Sequence, residues 1–185
     1  PADHSQNLTG IWPKKVVNYK TVMSDAASGF TSVTYPFPVI RMADWYLMYA
    51  EALNEKGEDY ATVLPWIDMV RERSGLQGVK ESWDQYVGNS KYATQTGLRQ
   101  IIMQERRIEL AFEGHYFWDV RRWKTATTEL TQPLTGWKVR YGETDVDYYS
   151  ENLVLVRDFT PKMYFWPIDI GELRKDPNLV QNYGW

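Results

Sequence analysis

The segment from Leu98 to Lys124, LRQIIMQERRIELAFEGHYFWDVRRWK, constrains the fold of this chain more than any other part. Its apolar residues recur at 3.6-residue spacing, so one helix face carries Leu98, Ile101, Ile102, Ile108 and Phe112. Glu105 and Glu109 fall in the middle of that face. Because carboxylates are costly to bury unless they are paired, the sequence predicts cationic partners for both.

Two hypotheses fit this pair of glutamates. Their i, i+4 spacing places the Cβ atoms about 5–6 Å apart, close to the ~5–5.5 Å carboxyl separation of retaining glycosidases, which would indicate a helical glycoside hydrolase. The alternative is a structural ion network, because bidentate arginines lower a carboxylate pKa whereas a general acid needs a raised one. The sequence favours the network, and its predicted members are Glu105, Glu109, Arg121 and Arg122, with Arg41, Arg71, Arg73 and Arg106 in the same region.

A helical hairpin precedes this segment. The first helix is predicted from about Val39 to Lys56, with Gly57 as its stop, and the second from about Tyr60 to Arg73, ended by Gly75. The tight turn between them is typical of a tetratricopeptide hairpin. A stable solenoid needs about three or more such repeats, so further repeats are expected outside this chain.

The remaining patterns divide the chain into three regions. Residues 1–38 are an irregular lead-in with a candidate strand at Thr31–Tyr35, residues 39–124 are a helical core, and residues 125–185 are loop-rich. Within the core we predict a long loop from Leu76 to Tyr92, a third helix from Gln95 to Glu113 and a short helix from Tyr116 to Lys124.

The last region contains short elements only. The candidate strands are Trp137–Tyr141 and Leu153–Val156, and Asp169 is a candidate N-cap for a short helix, Ile170–Arg174. The predicted fold class is therefore mainly α, with a tetratricopeptide-like hairpin, further helices, long loops and a few short strands.

Composition and missing motifs exclude several functions. The 185 residues suffice for one domain or two small ones. The absence of cysteine removes disulfide and thiol chemistry, and the net charge of −3 argues against nucleic-acid binding. Phosphate-loop, nucleophile-elbow and zinc-protease motifs are missing, so neither a cofactor nor a metal is predicted. Since the chain begins at Pro1 without an initiator methionine, we expect a piece of a longer protein.

Two other groups of ionisable residues are interpreted as structural. His115 follows the helix break at Gly114 and has no convergent metal-ligand partners at a known spacing. An acidic cluster lacks the spacing and the central glycine of an EF-hand, so a solvated loop is favoured over a hard-cation site; the cluster comprises Glu143, Asp145, Asp147 and Glu151.

The aromatic content points to a binding surface. Six Phe, nine Trp and thirteen Tyr make up 15% of the chain, and rings in loops could stack on sugars. The alternative is that these rings cover the helical core or contact a missing domain. The candidate ligand-binding residues are Trp83, Tyr86, Tyr92, Trp137, Tyr141, Tyr148 and Tyr149.

Four blocks in a fixed order resemble the C-terminal region of SusD/RagB-type proteins. They are RMADWYLMYAEALNEKG (41–57), PWIDMVRERSGL (65–76), ERRIELAFEGHYFWDVRRWK (105–124) and MYFWPIDIGELRKDPNLVQNYGW (163–185). The resemblance implies a helical scaffold with tetratricopeptide hairpins, and it assigns the blocks to that scaffold without supplying a ligand-contacting residue.

The resemblance also implies a function. Members of this family are non-catalytic, lipid-anchored proteins of the bacterial outer-membrane surface that bind oligosaccharides, or peptides in the RagB branch, and deliver them to a SusC-like TonB-dependent transporter. The chain is then the C-terminal portion of such a protein, and the anchor and most repeats lie in its N-terminal remainder. The alternatives are the peptide-binding branch, a helical glycoside hydrolase and a pure protein-interaction scaffold.

Overall fold

The computed structural model describes residues 9–11, 13–23, 29–138 and 143–185. The chain forms two compact units: a helical unit, Lys14–Tyr116, and a C-terminal unit, Phe117–Trp185 together with Pro1–Pro13. Most of the regular structure is helical, with few strands, which confirms the predicted fold class. Among the described residues, no helix combines the length and apolar character needed to cross a bilayer.

The predicted hairpin forms the centre of the helical unit. Helix α1 is Met42–Lys56 and helix α2 is Tyr60–Arg73. Helix α1 starts three residues later than predicted because Arg41 has an extended backbone. Gly57 ends α1 with φ 88°, the left-handed conformation that glycine adopts without steric cost. The Asp59 side chain accepts a hydrogen bond from the backbone of Ala61 and caps α2.

The segment predicted as a long loop is largely helical. Helix α3 is Val79–Ser82, a π-helical turn follows at Trp83–Val87, and a 3₁₀ turn at Lys91–Ala93. The prediction was wrong because distant contacts stabilise these short pieces: Val79 is fully buried, and its backbone N–H donates to Asp68 Oδ1 at 2.7 Å.

Helix α4, Gln95–Glu109, packs against both helices of the hairpin and completes the core. It ends four residues earlier than predicted. Its apolar face is buried only at Leu98, Ile101 and Ile102, whereas Ile108 and Phe112 are exposed. The buried part of the predicted apolar stripe therefore ends at Ile102. The core of the helical unit consists chiefly of Leu47, Ala50, Val63, Ile67, Val70, Val79, Leu98 and Ile102.

Strand positions agree with the predictions in part. In the helical unit, β1 (Val22–Met23) pairs antiparallel with β2 (Phe30–Thr31), so the candidate strand at 31–35 is confirmed only at its first residue. In the C-terminal unit, β3 (Leu134–Trp137) pairs antiparallel with β4 (Glu151–Leu155), and Trp137 lies opposite Glu151. Strand β4 contains Leu153–Leu155 of the candidate Leu153–Val156, and β3 contains Trp137 of the candidate Trp137–Tyr141, whose positions 139–141 lie outside the described residues.

Helix α5, His115–Arg122, follows α4, and the described part of the C-terminal unit contains four further short helical pieces. They are α6 (Ala126–Glu129), α7 (Asp145–Tyr148), a 3₁₀ turn (Pro161–Tyr164) and α8 (Ile170–Lys175). The N-cap prediction for α8 is confirmed, because Asp169 Oδ1 accepts from the backbone of Gly171. A small core of Val120, Ala126 and Phe159 holds this unit together.

Candidate functional site

Three of the predicted ligand-binding rings form one cluster in the C-terminal unit. Trp137 ends β3, and Tyr148 and Tyr149 lie at the end of α7. The Trp137 and Tyr149 rings meet edge to face with centroids 5.2 Å apart, and Tyr148 and Tyr149 do so at 5.0 Å. Tyr149 is 61% exposed and Trp137 39%. In edge-to-face pairs one ring face is left uncovered, so this aromatic cluster offers ring surface to solvent.

The backbone and polar groups fix the position of this cluster. The backbone N–H of Trp137 donates to the Thr9 carbonyl, and that of Lys138 donates to the Tyr148 carbonyl at 3.0 Å. Lys138 Nζ donates to Asp147 Oδ1 at 2.7 Å. That hydrogen bond holds the pKa of Asp147 below its usual value. The cluster therefore combines aromatic surface with a charged pair beside it, the combination that sugar rings and hydroxyls require.

Tyr141, the fourth candidate from this part of the chain, lies outside the described residues. The acidic residues around it are divided between different elements. Asp145 and Asp147 belong to α7, which Thr144 caps by accepting from the backbone of Asp147. Glu151 belongs to β4. Within the described ranges there is no group of three metal-ligating side chains that could hold an ion.

The candidates of the helical unit have different environments. Tyr92 is buried in the helical core, packs edge to face on Tyr60 at 5.5 Å, and its hydroxyl donates to Asp84 Oδ1 at 2.8 Å. We therefore reassign Tyr92 from ligand binding to the core. Trp83 packs against the same core and has Lys91 Nζ 5.5 Å from its ring centroid. Tyr86 alone of the three is largely exposed.

The two central glutamates are paired, but with arginines of the hairpin region. Glu105 accepts from Arg71 of α2, and Glu109 accepts from Arg41 Nη1 and, at 2.7 Å, from Arg73 Nη2. Both glutamate side chains are 13% exposed.

Arg41 extends this network to Glu113, which was not among the predicted members. Its Nε and Nη2 donate to the two oxygens of Glu113 at 2.7 and 2.8 Å, and Nη2 also donates to the Glu109 carbonyl at 2.6 Å. Lys15 Nζ pairs with Glu113 at 2.5 Å. Arg41, at the start of α1, thus joins two carboxylates: that of Glu109, the last residue of α4, and that of Glu113, four residues later.

The prediction that Arg121 and Arg122 pair with the two glutamates was wrong. Arg121 Nη1 donates to the Met163 carbonyl, and Arg122 Nε donates to Asp119 Oδ1 at 2.7 Å, both within the C-terminal unit. The prediction failed because closeness in the sequence does not show whether an arginine and a glutamate face each other in the fold. Arg41 and Arg71 approach the glutamates because α4 packs on both helices of the hairpin.

The pKa directions in this network are mixed. Burial raises the pKa of Glu105, and it outweighs the charge and hydrogen bond of Arg71, which act to lower that pKa; the net direction is therefore opposite to the lowered pKa expected from the sequence. Burial also acts to raise the pKa of Glu113, but the hydrogen bonds and charges of Arg41 and Lys15 together outweigh it and hold that pKa below its usual value. His115 lies directly after Gly114, as predicted, and begins α5.

One group of exposed rings was absent from the sequence-based candidates. Trp118, Phe165 and Trp166 are each more than half exposed in the C-terminal unit. They fall in the blocks 105–124 and 163–185, which the family resemblance assigns to the scaffold. The available signal was that Arg121, Arg122 and Lys124 follow Trp118 within six residues.

Comparisons with known proteins agree on one family. The model described as the SusD family matches residues 1–185, the whole chain. The SusD-like proteins P25 and P38 of Formosa agariphila are 39% and 28% identical to it over 144 residues, 78% of this chain but 23% and 24% of theirs. The chain thus spans about a quarter of the length of these relatives.

Solved structures show the same likeness in three dimensions. A SusD-like protein of Bacteroides fragilis NCTC 9343 is similar with a TM-score of 0.67 and 28% identity, over 86% of this chain and 28% of that one. A protein named BT4246 is similar with a TM-score of 0.71 and 26% identity, over 85% of this chain and 25% of that one.

Proposed function

The chain belongs to the SusD family, and from this premise we propose that it is part of a non-catalytic protein that binds glycans at the bacterial cell surface. The observation that carries the proposal is the solvent-exposed cluster of Trp137, Tyr148 and Tyr149 with the Lys138–Asp147 pair beside it. Such rings stack on the C–H faces of sugars, and the charged pair supplies donors and acceptors for hydroxyl groups.

The binding mechanism is capture without chemistry. A cluster of three rings offers only a modest contact area to a small oligosaccharide, so dissociation constants in the micromolar to millimolar range are expected. Weak binding suits a protein that must release its ligand. The finer proposal is that the captured oligosaccharide passes to a SusC-like TonB-dependent transporter in the outer membrane.

The rest of the assembly is proposed from the family. The relatives are about three times as long as this chain, since the 144 aligned residues make up only 23–24% of their length, so we expect an N-terminal remainder that carries further helical repeats and a lipid anchor for the outer membrane. The hairpin α1–α2 supports this view, because one tetratricopeptide-like pair leaves exposed apolar residues along α1 that neighbouring helices would cover. These residues are Met42, Trp45, Met48 and Tyr49.

The absence of catalysis is also a proposal. In a glycoside hydrolase, Glu105 and Glu109 would need carboxyl oxygens free to reach the substrate, yet both accept hydrogen bonds from arginines. The raised pKa of Glu105 is the direction that a general acid needs, so a direct test is required. We expect no glycan hydrolysis by the purified protein, and hydrolysis that Glu105→Gln abolishes without unfolding would refute this.

The binding proposal is tested by a screen of neutral, acidic and sulfated oligosaccharides and of peptides, followed by titration calorimetry. Trp137→Ala and Tyr149→Ala should each weaken glycan binding at least tenfold, as for other aromatic hot spots. Tyr183→Ala is the matched control, since Tyr183 is an exposed ring of the same unit outside the cluster. Binding of peptides alone would instead assign the protein to the RagB-like branch, and wild-type affinity in both cluster variants would refute the site.

A further inference from the structure

A recess separate from the aromatic cluster lies wholly within the C-terminal unit. Its cavity volume is about 490 Å³, which falls in the range of small-molecule sites. The lining comes from the end of α5 with the residues after it, and from the segment that follows the 3₁₀ turn at Pro161–Tyr164. The lining residues are Trp118, Arg121, Arg122, Lys124, Tyr164, Phe165 and Trp166.

The charge of this recess is positive and only partly compensated. Arg122 pairs with Asp119 at 2.7 Å. Within the described ranges, Arg121 and Lys124 have no carboxylate within salt-bridge distance. Arg121 Nη1 donates to the Met163 carbonyl, whereas its Nε is buried and has no hydrogen-bond partner among those residues. Most buried donors in folded proteins are satisfied, so this arginine retains both charge and hydrogen-bonding capacity.

Aromatic rings hold the Arg121 guanidinium in place. Its central carbon lies 4.4 Å from the ring centroid of Phe117, 5.2 Å from that of Phe159 and 5.7 Å from that of Trp166. Cation–π contacts at these distances orient the guanidinium without neutralising its charge. An arginine oriented in this way loses little side-chain entropy when an anion binds to it.

The walls of the recess provide the apolar contact. Trp118 and Trp166 are 59% and 64% exposed, an unusual degree for two indoles that line one cavity. An indole face covers the C–H face of a sugar ring, whereas a small inorganic anion would use only the cations. Rings and unpaired cations together therefore fit a ligand that has a flat apolar face and a negative charge.

We propose that this recess binds an anionic saccharide, one whose ring carries a carboxylate or a sulfate group. The anionic group contacts Arg121 and Lys124, and the sugar ring stacks on Trp118 or Trp166. The inference rests on the proposed glycan binding and goes beyond it, because it assigns a second site and a charge class of ligand. A neutral oligosaccharide would leave both cations unpaired on binding and is disfavoured.

A substitution at Lys124 tests the proposal better than one at Arg121, because Lys124 is exposed whereas Arg121 packs against aromatic rings. Its backbone φ is 61°, a left-handed conformation that asparagine tolerates better than most residues, so Lys124→Asn removes the charge without straining the fold. Calorimetry on the purified protein compares a uronic acid tetrasaccharide, a sulfated tetrasaccharide and a neutral tetrasaccharide. Lys124→Asn should weaken the binding of an acidic tetrasaccharide about tenfold and leave the affinity for the neutral one unchanged. Added salt should weaken the binding of the acidic tetrasaccharides alone.

Controls separate the possible outcomes. Lys175→Asn removes an exposed lysine of the same unit, bonded to Glu172 and outside the recess, and should have no effect. If the affinities for the carboxylated and sulfated tetrasaccharides differ, the one that binds more tightly identifies the anionic group. Equal binding of neutral and acidic ligands, or an unaffected Lys124→Asn variant, overturns this inference and leaves glycan binding intact. No binding of any saccharide refutes the proposed function too, and binding only of peptides with a free C-terminal carboxylate overturns the saccharide assignment.

Discussion

Replacing Arg41 tests whether the ion network is structural. Arg41→Met keeps much of the side-chain volume but removes every hydrogen bond that Arg41 donates to the carboxylates of Glu109 and Glu113. The Arg41 side chain is 22% exposed and that of Glu113 is 9% exposed, so the loss occurs in a largely dehydrated place. Nothing in the proposed binding surfaces is altered by this change.

The magnitude follows from the partners that remain. Breaking a buried pair on one side costs about 3–5 kcal/mol when the other charge is left alone. Here Glu109 keeps Arg73 and Glu113 keeps Lys15, but the Arg73 side chain is mostly exposed and its pairing is screened by solvent. We therefore expect Arg41→Met to lower the free energy of unfolding by about 2–4 kcal/mol at pH 7.

Urea unfolding followed by circular dichroism at pH 7 and at acid pH measures the effect. The pKa of Glu113 is lowered in the folded state, so its ionisation contributes stability that is present above the unfolded pKa, about 4.3, and is lost as the pH falls through the folded value. In Arg41→Met this shift is smaller, so the variant should lose less stability than the wild type on acidification.

Arg41→Lys is the matched control, because it retains the charge but cannot donate bidentately. It should lie between the wild type and Arg41→Met. If Arg41→Met unfolds at the wild-type urea concentration at pH 7, the network does not stabilise the helical unit and the reasoning is refuted. A stability loss of similar size in Arg41→Lys would show that bidentate geometry, and not charge, is the dominant contribution.

Two further predictions concern single residues. Tyr92→Phe should cost about 1 kcal/mol of unfolding free energy through the lost bond to Asp84 and should leave glycan affinity unchanged in calorimetry, whereas an affinity loss would return Tyr92 to the binding site. Phe112 has a left-handed backbone, φ 65°, and an exposed ring. A side chain in the left-handed conformation costs roughly 1–2 kcal/mol, so Phe112→Gly should raise the urea midpoint of unfolding. A lower midpoint would mean that the packing of the ring outweighs the backbone strain.

The sequence determines the helical hairpin well because the signals are local. Apolar spacing, the stop at Gly57 and the Asp59 cap all act within a few residues. The segment from Leu76 to Tyr92 was predicted wrongly because its short helical pieces depend on contacts distant in sequence. Val79 is buried only through the packing of the hairpin, and its N–H is satisfied by Asp68, eleven residues earlier.

The candidate site could be predicted only by residue type. Trp137 and Tyr149 are twelve positions apart, and their contact depends on the register of β3 with β4 and on the short helix α7. Tyr92 has polar neighbours in the sequence, as Tyr149 has, yet Tyr60 packs against its ring. Whether a ring is core or surface is decided by these long-range contacts, which a single sequence does not reveal.

The same limit applies to the arginines, and it carries a functional consequence. Arg41 and Arg121 both sit at helix ends among aromatic and acidic residues in the sequence. Arg41 is bonded to two carboxylates and can offer little to a ligand, whereas Arg121 is enclosed by rings, which orient its charge and leave it uncompensated. A scaffold arginine differs from a ligand-binding one in what surrounds the guanidinium. The segment from Leu98 to Lys124 therefore contributes Glu105 and Glu109 to a structural network and, twelve residues beyond Glu109, the cation that we assign to an anionic ligand.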